Sequence, residues 1–215
     1  MAQLKMTYIK SGQLKQLNYK MRVLITCFGA FQNFNENPSK ITMNHLKKIT
    51  SSLKNIIFEW EEIEVIFEKV DEFTEHLNHD HDLIIHLGVA TGAEKLKFEL
   101  CAHNIKNGVD TIGVDFKNTP IQLGANKIET SFPIEVIKNF VEEHKNETEI
   151  SKDAGAYLCN YVYFKSLLKT NEKSKVIFIH IADYQNNQKA KNAEDQSELI
   201  YQFLIQILNH SIKEK

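Results

Sequence analysis

The segment Ser151-Lys-Asp-Ala-Gly-Ala-Tyr-Leu-Cys159-Asn-Tyr-Val-Tyr-Phe164 leads from a short predicted strand into an apolar helix and carries one cysteine near the junction. Ser151 and Asp153 are good N-cap residues, and apolar side chains follow them with helical spacing. Gly155 allows a sharp turn before the helix. The segment therefore predicts Cys159 in the first turns of a helix, where free N–H groups and the dipole would stabilise a thiolate. A small buried core cysteine is the alternative that this segment alone leaves open.

Short apolar runs alternate with amphipathic segments along the rest of the chain. The predicted strands are 22–28, 56–66, 83–87, 149–151 and 176–181. Predicted helices start at Pro38, at Phe67 and near Ser131 or Pro133, and a last helix covers 194–212; residues 88–92 are predicted as a turn and 108–124 as a surface segment. This alternation predicts an α/β fold, a single-domain three-layer α/β/α sandwich around a twisted, mostly parallel sheet. We expect residues 1–20 to be an N-terminal extension and 21–215 to form one α/β domain.

Composition narrows the class of function. The 215 residues are 42% hydrophobic and 25% charged, which is typical of a soluble globular protein, and the net charge of −2 gives no basic face for nucleic acid. No apolar run reaches the roughly 18 residues of a membrane-spanning helix, and the lysine-rich first twenty residues do not resemble a secretory signal. The three cysteines show no pairing pattern, so we expect a cytoplasmic protein with free thiols.

Three further segments, which occur in a fixed order along the chain, are informative together with the cysteine segment. They are Val23-Leu-Ile-Thr-Cys-Phe28-Gly-Ala-Phe31 continuing through Asn37-Pro-Ser39, Leu87-Gly-Val-Ala-Thr-Gly-Ala-Glu-Lys-Leu-Lys-Phe-Glu99-Leu-Cys-Ala-His-Asn104, and Val176-Ile-Phe-Ile-His180-Ile. With the cysteine segment, they resemble the pyroglutamyl peptidase I family of cysteine peptidases. The resemblance extends from about residue 22 to the C-terminus, and four ordered blocks are far more specific than any one of them.

The resemblance implies a catalytic set made of Cys159, His180 and Glu99. A cysteine peptidase needs a thiolate, a histidine that keeps it ionised and protonates the leaving amine, and a group that orients the histidine. Each of the three residues is predicted at or just beyond the C-terminal end of a strand, where open α/β sheets display functional groups. No metal or organic cofactor is required. Taken alone, His180 and Glu99 would be read as a structural histidine and a surface charge.

The resemblance also implies an apolar slot for the flat lactam ring of an N-terminal pyroglutamyl residue. Phe28 and Phe31 would flank the ring and Tyr157 would form a third wall, with Phe34 as a further candidate. Backbone groups near Asn37 and Val89 would bond the lactam N–H and C=O. The implied substrate-binding residues are Phe28, Phe31, Asn37, Val89, Tyr157 and Leu158. The partners would be peptides with an N-terminal pyroglutamyl residue, and the oligomeric state is undetermined.

Two other interpretations stay open at this point. The chain departs from the family pattern after the histidine strand, where Ala182-Asp183 stands instead of a proline, and at Ala156 before the cysteine. A catalytically weak or silent member that binds N-terminally blocked peptides is one alternative, and an α/β hydrolase or thiol-transfer enzyme for another acyl substrate is the second. The cluster His76, His79 and His81 has loose metal-ligand spacing, but we interpret it as a solvated loop.

Overall fold

A computed structural model describes residues 20–31, 36–54, 56–77, 80–171 and 173–213, with the side chains of 209–213 left aside. The predicted extension 1–20 lies outside the described residues except for Lys20, and so do Phe34 and His79.

Within the described residues the chain alternates strands and helices. The strands are β1 Met21–Phe28, β2 Ile56–Ile63, β3 Leu83–Ala90, β4 Leu96–Glu99, β5 Cys101–His103, β6 Lys106–Val109, β7 Asp115–Thr119, β8 Lys127–Glu129, β9 Thr148–Ser151 and β10 Lys175–Ala182. The helices are α1 Pro38–Thr50, α2 Phe67–His76, α3 Ile134–Glu143, α4 Leu158–Thr170 and α5 Ala193–Lys213.

Six of the strands form the central sheet, in the order β2-β1-β3-β10-β4-β9. Four of its pairings are parallel, and only β10 with β4 is antiparallel, so β4 and β9 run against the other four strands. The predicted α/β fold around a mostly parallel sheet is confirmed. The predicted turn at 88–92 is wrong in part, because β3 continues through Gly88 to Ala90 in register with β10.

Helices cover both faces of the sheet, because successive residues of each strand point to opposite faces. Ile25 packs in a core with α1, α3 and α5, whereas its neighbour Leu24 packs in a second core with α2 and α4. These two apolar layers give the three-layer arrangement that the sequence predicts. The nucleophile candidate Cys159 borders the second layer.

The pairing of β1 with β3 stops before either strand ends. The ladder between them covers Val23 to Thr26 of β1 and ends at His86 of β3, whereas β1 stays paired with β2 as far as Phe28. The residues of β3 after His86 are therefore not paired with β1 in this ladder. A crevice of this kind, at the C-terminal ends of strands where the strand order reverses, is where open α/β sheets bind ligands.

A hairpin of β6 and β7 packs against the N-terminal ends of α2 and α4. It falls in the predicted surface segment, which is therefore more regular than the sequence indicates. Asp110 at its turn is buried and accepts a hydrogen bond from the N–H of Phe67 (3.1 Å), the first residue of α2. The carboxylate thereby caps a helix whose own N-cap residue, Ile66, makes no side-chain cap.

Candidate active site

Cys159 is the second residue of α4, which agrees with its predicted position in the first turns of a helix. The predicted capping residues are wrong, because Ser151 and Asp153 stabilise the preceding turn instead. The Ser151 hydroxyl accepts from the Asp153 N–H (3.1 Å) and the Asp153 carboxylate accepts from the Gly155 N–H (2.9 Å). Gly155 has a φ of 80°, the left-handed conformation that glycine adopts without strain.

The start of α4 presents free backbone donors next to the thiol. Its N-cap is Tyr157, and the N–H of Tyr161 makes the first intrahelical bond, to the Tyr157 carbonyl (2.9 Å). The N–H groups of the first helical residues have no intrahelical acceptor in any α-helix. They and the helix dipole favour negative charge at this position.

Glu99 and His180 form a buried pair beside Cys159. The Glu99 carboxylate Oε1 lies 2.7 Å from His180 Nδ1, and the two side chains are 0% and 8% exposed. The other carboxylate oxygen, Oε2, has no hydrogen-bond partner among the described residues. A buried carboxylate with one partner depends on that partner's charge, so the pair favours a protonated His180.

The partners of His180 decide its protonation. Burial alone lowers the pKa of an imidazole, but hydrogen bonds to Cys159 and Glu99, together with the charges of those two groups, raise the pKa of His180 to about 9. The imidazolium is therefore the stable form at neutral pH. A cation at this position stabilises a thiolate on the adjacent cysteine.

A close approach to the sheet sets the position of the Cys159 thiol. A Cβ atom at Gly88 would lie 2.8 Å from Cys159 Sγ and 2.7 Å from the Phe178 ring, so only glycine leaves room for both groups. Cys159 is also the accessible cysteine of the three, since Cys27 and Cys101 are buried. Burial raises the pKa of the Cys27 thiol to about 12 and raises that of Cys101.

One detail of the predicted placement is wrong. His180 lies inside β10, paired with Gly88 and Lys97, and not beyond the end of the strand. Glu99 does end a strand, but that strand is β4, which runs antiparallel to β10, so Glu99 lies beside Phe178. Because β4 is antiparallel to β10, its C-terminal residue Glu99 lies next to the middle of β10, and its carboxylate contacts His180 on that neighbouring strand.

An aromatic wall, defined here as Phe31, Tyr157, Phe67 and Phe116, belongs to the apolar cluster against which Cys159 packs. Phe31 and Tyr157 have ring centroids 5.3 Å apart, and Phe67 packs edge-on against Tyr157 at 5.8 Å and Phe116 at 4.8 Å. Phe28 is buried in the same apolar cluster, which also contacts Cys159. The predicted Phe28, Phe31 and Tyr157 thus share one cluster with the cysteine.

The hairpin fixes Tyr157. Its hydroxyl donates to the Val109 carbonyl (2.8 Å), and its ring lies over Gly108, where a Cβ would come within 2.8 Å of the ring. Sequence reasoning missed Phe67, Phe116 and Gly108, because nothing local to them indicates that three distant segments meet at Tyr157. The one available signal was a glycine in the first strand of a predicted surface segment.

The other predicted binding residues contribute in different ways. The Asn37 side chain is buried and occupied, because it donates to the Gly29 carbonyl (3.0 Å) and accepts from the Ser39 N–H (3.0 Å). It caps α1 and ties down the loop after β1. Val89 is half-buried at the end of β3 that flanks the crevice, and the Leu158 side chain is buried, so only its backbone could contact a ligand.

The remaining candidates have structural partners. His76 bonds the Glu72 carbonyl and His81 lies 3.1 Å from Glu59, while the third member of that cluster is outside the described residues. Among the described residues no group of three or more histidine, cysteine or acidic side chains is arranged to hold a metal ion. None of the helices in the described part of the chain combines the length and apolarity needed to cross a membrane.

Comparison with known proteins gives this geometry a context. A curated relative, the pyrrolidone-carboxylate peptidase of Clostridium botulinum, is 32% identical over 171 residues, 75% of this chain and 78% of that protein. The pyrrolidone-carboxylate peptidase of Thermosipho melanesiensis is 28% identical over 187 residues, 82% of this chain and 91% of that protein.

Solved structures share the fold. The pyrrolidone carboxyl peptidase from Thermococcus litoralis superposes with a TM-score of 0.77 at 23% identity, covering 91% of this chain and 96% of that one. The enzyme from Thermus thermophilus gives 0.74 at 24% identity, covering 83% and 96%. The sequence model of the pyroglutamyl peptidase family matches residues 21–214. This chain therefore belongs to the pyroglutamyl peptidase family.

Proposed function

We propose that this protein is a cysteine exopeptidase that removes an N-terminal pyroglutamyl residue from peptides. The observation that carries the proposal is the buried Glu99–His180 hydrogen bond of 2.7 Å next to an accessible cysteine at a helix N-terminus. The curated relatives carry the name of this activity. Such a set of groups supplies a nucleophile, a proton carrier and an orienting carboxylate.

The proposed reaction is acyl transfer in two steps. The Cys159 thiolate attacks the pyroglutamyl carbonyl carbon, the C–N bond breaks, and His180 gives its proton to the departing amine. Water then attacks the thioester with His180 as the base, and the acid and the thiolate are released. Backbone N–H groups at the start of α4 bond the oxyanion in both steps. Glu99 holds the imidazole in the orientation that these transfers need.

Specificity in this proposal comes from an uncharged slot. The lactam ring packs against the apolar surface that Phe28, Phe31 and Tyr157 share, and its N–H and C=O bond backbone groups at the crevice, with Val89 as the candidate on β3. A substrate that leaves one of those groups unpaired loses about 1–3 kcal/mol per group. An ordinary peptide N-terminus would bring an ammonium into an apolar site, which is costly.

The test is release of aminomethylcoumarin from its pyroglutamyl amide under reducing conditions, with prolyl and acetyl amides as competing substrates. We expect turnover of the pyroglutamyl amide only. Cys159→Ala should abolish it, and Cys27→Ala, which removes a buried thiol from the core layer on the opposite face of the sheet, should preserve it.

Other outcomes would favour the alternatives. A folded protein that binds a pyroglutamyl peptide without turnover would be a silent binding member of the family. Preference for the acetyl amide would indicate an acyl hydrolase of another specificity. Turnover that survives Cys159→Ala would reject the nucleophile.

We further propose a cytoplasmic enzyme whose activity resides in residues 21–215. All three cysteines are free, which suits a reducing compartment. Both β1 and the family match begin at Met21. Deletion of residues 2–20 should therefore preserve turnover and thermal stability, and loss of soluble protein would contradict this boundary.

A further inference from the structure

His86 is a second buried histidine, and the proposed reaction does not use it. It lies on β3, and its ring bridges two hydroxyls, with Nδ1 2.8 Å from Thr26 Oγ1 and Nε2 3.0 Å from Ser166 Oγ. Thr26 belongs to β1 and Ser166 to α4, and all three side chains are buried. The ring therefore links the sheet to the helix that carries Cys159.

His86 and Ser166 lie on the same faces of β3 and α4 as the active-site residues Gly88 and Cys159. On β3, His86 and Gly88 are two residues apart and so face the same side of the sheet. On α4, Cys159 and Ser166 are seven residues apart, close to two full turns, and so share one face. The His86–Ser166 hydrogen bond and the Gly88–Cys159 approach are thus successive contacts between the same two faces.

The two contacts differ in kind. Gly88 leaves no slack, since even a Cβ would come within 2.8 Å of Cys159 Sγ. The His86–Ser166 hydrogen bond fixes both a length and a direction, whereas the close approach at Gly88 limits only how near the helix can come to the sheet. The ring also lies 6.2 Å from Phe178, whose own ring centroid is 4.6 Å from that of His180.

We propose that His86 is a positioning residue for the nucleophile, which acts through its hydrogen bond to Ser166 to hold Cys159 at the correct depth against His180. The neutral ring suits this role. Burial lowers the pKa of His86 to about 3, so at working pH it carries one N–H and one lone pair, enough to pair both hydroxyls.

The matched pair of variants is Ser166→Ala and Thr170→Val. Both substitutions remove a buried hydroxyl from α4. The Thr170 hydroxyl, however, donates only to backbone carbonyls of its own helix, and the shorter of these bonds is 2.9 Å, to the Ser166 carbonyl. Ser166→Ala should lower kcat about tenfold with little change in KM, since small misplacements of reacting groups have large effects on rate. Thr170→Val should lower stability without this loss of kcat.

A second readout does not depend on peptidase activity. The rate at which iodoacetamide alkylates Cys159, measured against pH, reports how well His180 stabilises the thiolate. Ser166→Ala should shift this profile to higher pH, and Thr170→Val should leave it unchanged. A shift in a protein that lacks turnover would uphold the positioning role and reject the proposed function separately.

Substitutions of His86 itself keep the test decisive if Ser166→Ala does not fold. His86→Gln keeps a polar group that reaches towards Ser166, and His86→Leu does not. We expect His86→Gln to retain more kcat and a more normal alkylation profile than His86→Leu. Equal values for both, or a wild-type profile in Ser166→Ala, would reduce His86 to a satisfied core histidine and overturn the proposal.

Discussion

His180 and His86 are buried on neighbouring strands, yet the protein shifts their pKa values in opposite directions. In the register of β3 with β10, Phe178 pairs with His86 and His180 pairs with Gly88. The pKa of His180 is raised to about 9, and that of His86 is lowered to about 3. Burial acts on both in the same sense. The difference lies in their partners, a carboxylate and a thiol for one and two hydroxyls for the other.

The comparison teaches that the partners of a buried histidine, and not its position in the sheet, decide its protonation. A carboxylate and a thiolate make the imidazolium the stable form, so His180 can hold and transfer a proton. The two hydroxyls bonded to His86 satisfy both nitrogens of a neutral ring, which then has no proton to transfer. His86 is thereby suited to fix geometry, while His180 is suited to catalysis.

The largest expected effect comes from making His180 more like His86. Glu99→Gln keeps the size of the side chain and removes its charge, so the pKa of His180 should fall. We expect kcat to drop about 10³-fold, within the range found for loss of acid–base assistance. The basic limb of the pH profile of kcat/KM should move to lower pH, because the imidazolium is then lost earlier.

The pH profile of the variant therefore checks the assignment of Glu99. A basic limb that stays in place while kcat falls would show that Glu99 acts on something other than the protonation of His180.

The next effect removes the space that brings the thiol to His180. Gly88→Ala adds a methyl group where 2.8 Å separates it from Cys159 Sγ, so the helix or the Phe178 ring must move. We expect kcat to fall about 10²-fold, as for an ångström-scale misplacement of reacting groups. Gly113→Ala is the control, because a Cβ there meets nothing within 4 Å, although its φ of 91° makes it strained.

Steady-state kinetics of the two alanine variants, compared with their melting temperatures, separate geometry from stability. Wild-type kcat in Gly88→Ala would contradict the close approach.

The smallest effect concerns stability and sharpens the account of His86. Its folded pKa of about 3 lies below the ordinary value of 6.5, so below pH 6.5 the unfolded chain binds a proton that the folded protein does not. Stability is therefore fully present above pH 6.5 and declines as pH falls towards 3. The decline from this one group is about 1.4 kcal/mol per pH unit.

Urea unfolding of wild type and His86→Gln between pH 7 and 5 measures this contribution, since other groups titrate alike in both. As the pH falls, the free energy of unfolding of the wild type should decrease more steeply than that of His86→Gln, by the slope that the uptake of one proton gives. Parallel curves would mean that His86 is not held neutral.

Much of the fold was predictable because strands and helices here have clear apolar patterns. The strand 176–181 and the helix that starts at Pro38 follow from local sequence, and the structure has both. The direction of β4 could not be predicted, since it depends on which strand it joins. The N-cap of α4 could not be predicted, because an aspartate such as Asp153 is favoured both at helix N-caps and in turns, and here it stabilises a turn.

The candidate site was predictable in part, for a different reason. Cys159, His180 and Glu99 came from ordered motifs and not from any local pattern that shows they meet. The contributions of Phe67 and Phe116 depend on contacts between segments far apart in the chain. His86 was one apolar-strand residue among others, because only the packing of α4 onto β3 gives its ring two partners.

The central claim is that Cys159 carries the acyl group during turnover. The most direct measurement mixes the enzyme with the p-nitrophenyl ester of pyroglutamate, quenches it in acid within the first turnover and maps the acylated peptide by mass spectrometry. We predict a pyroglutamyl thioester on the peptide that contains Cys159, and none in Cys159→Ala. Turnover of the ester with no acyl group on that peptide at any quench time would contradict the account.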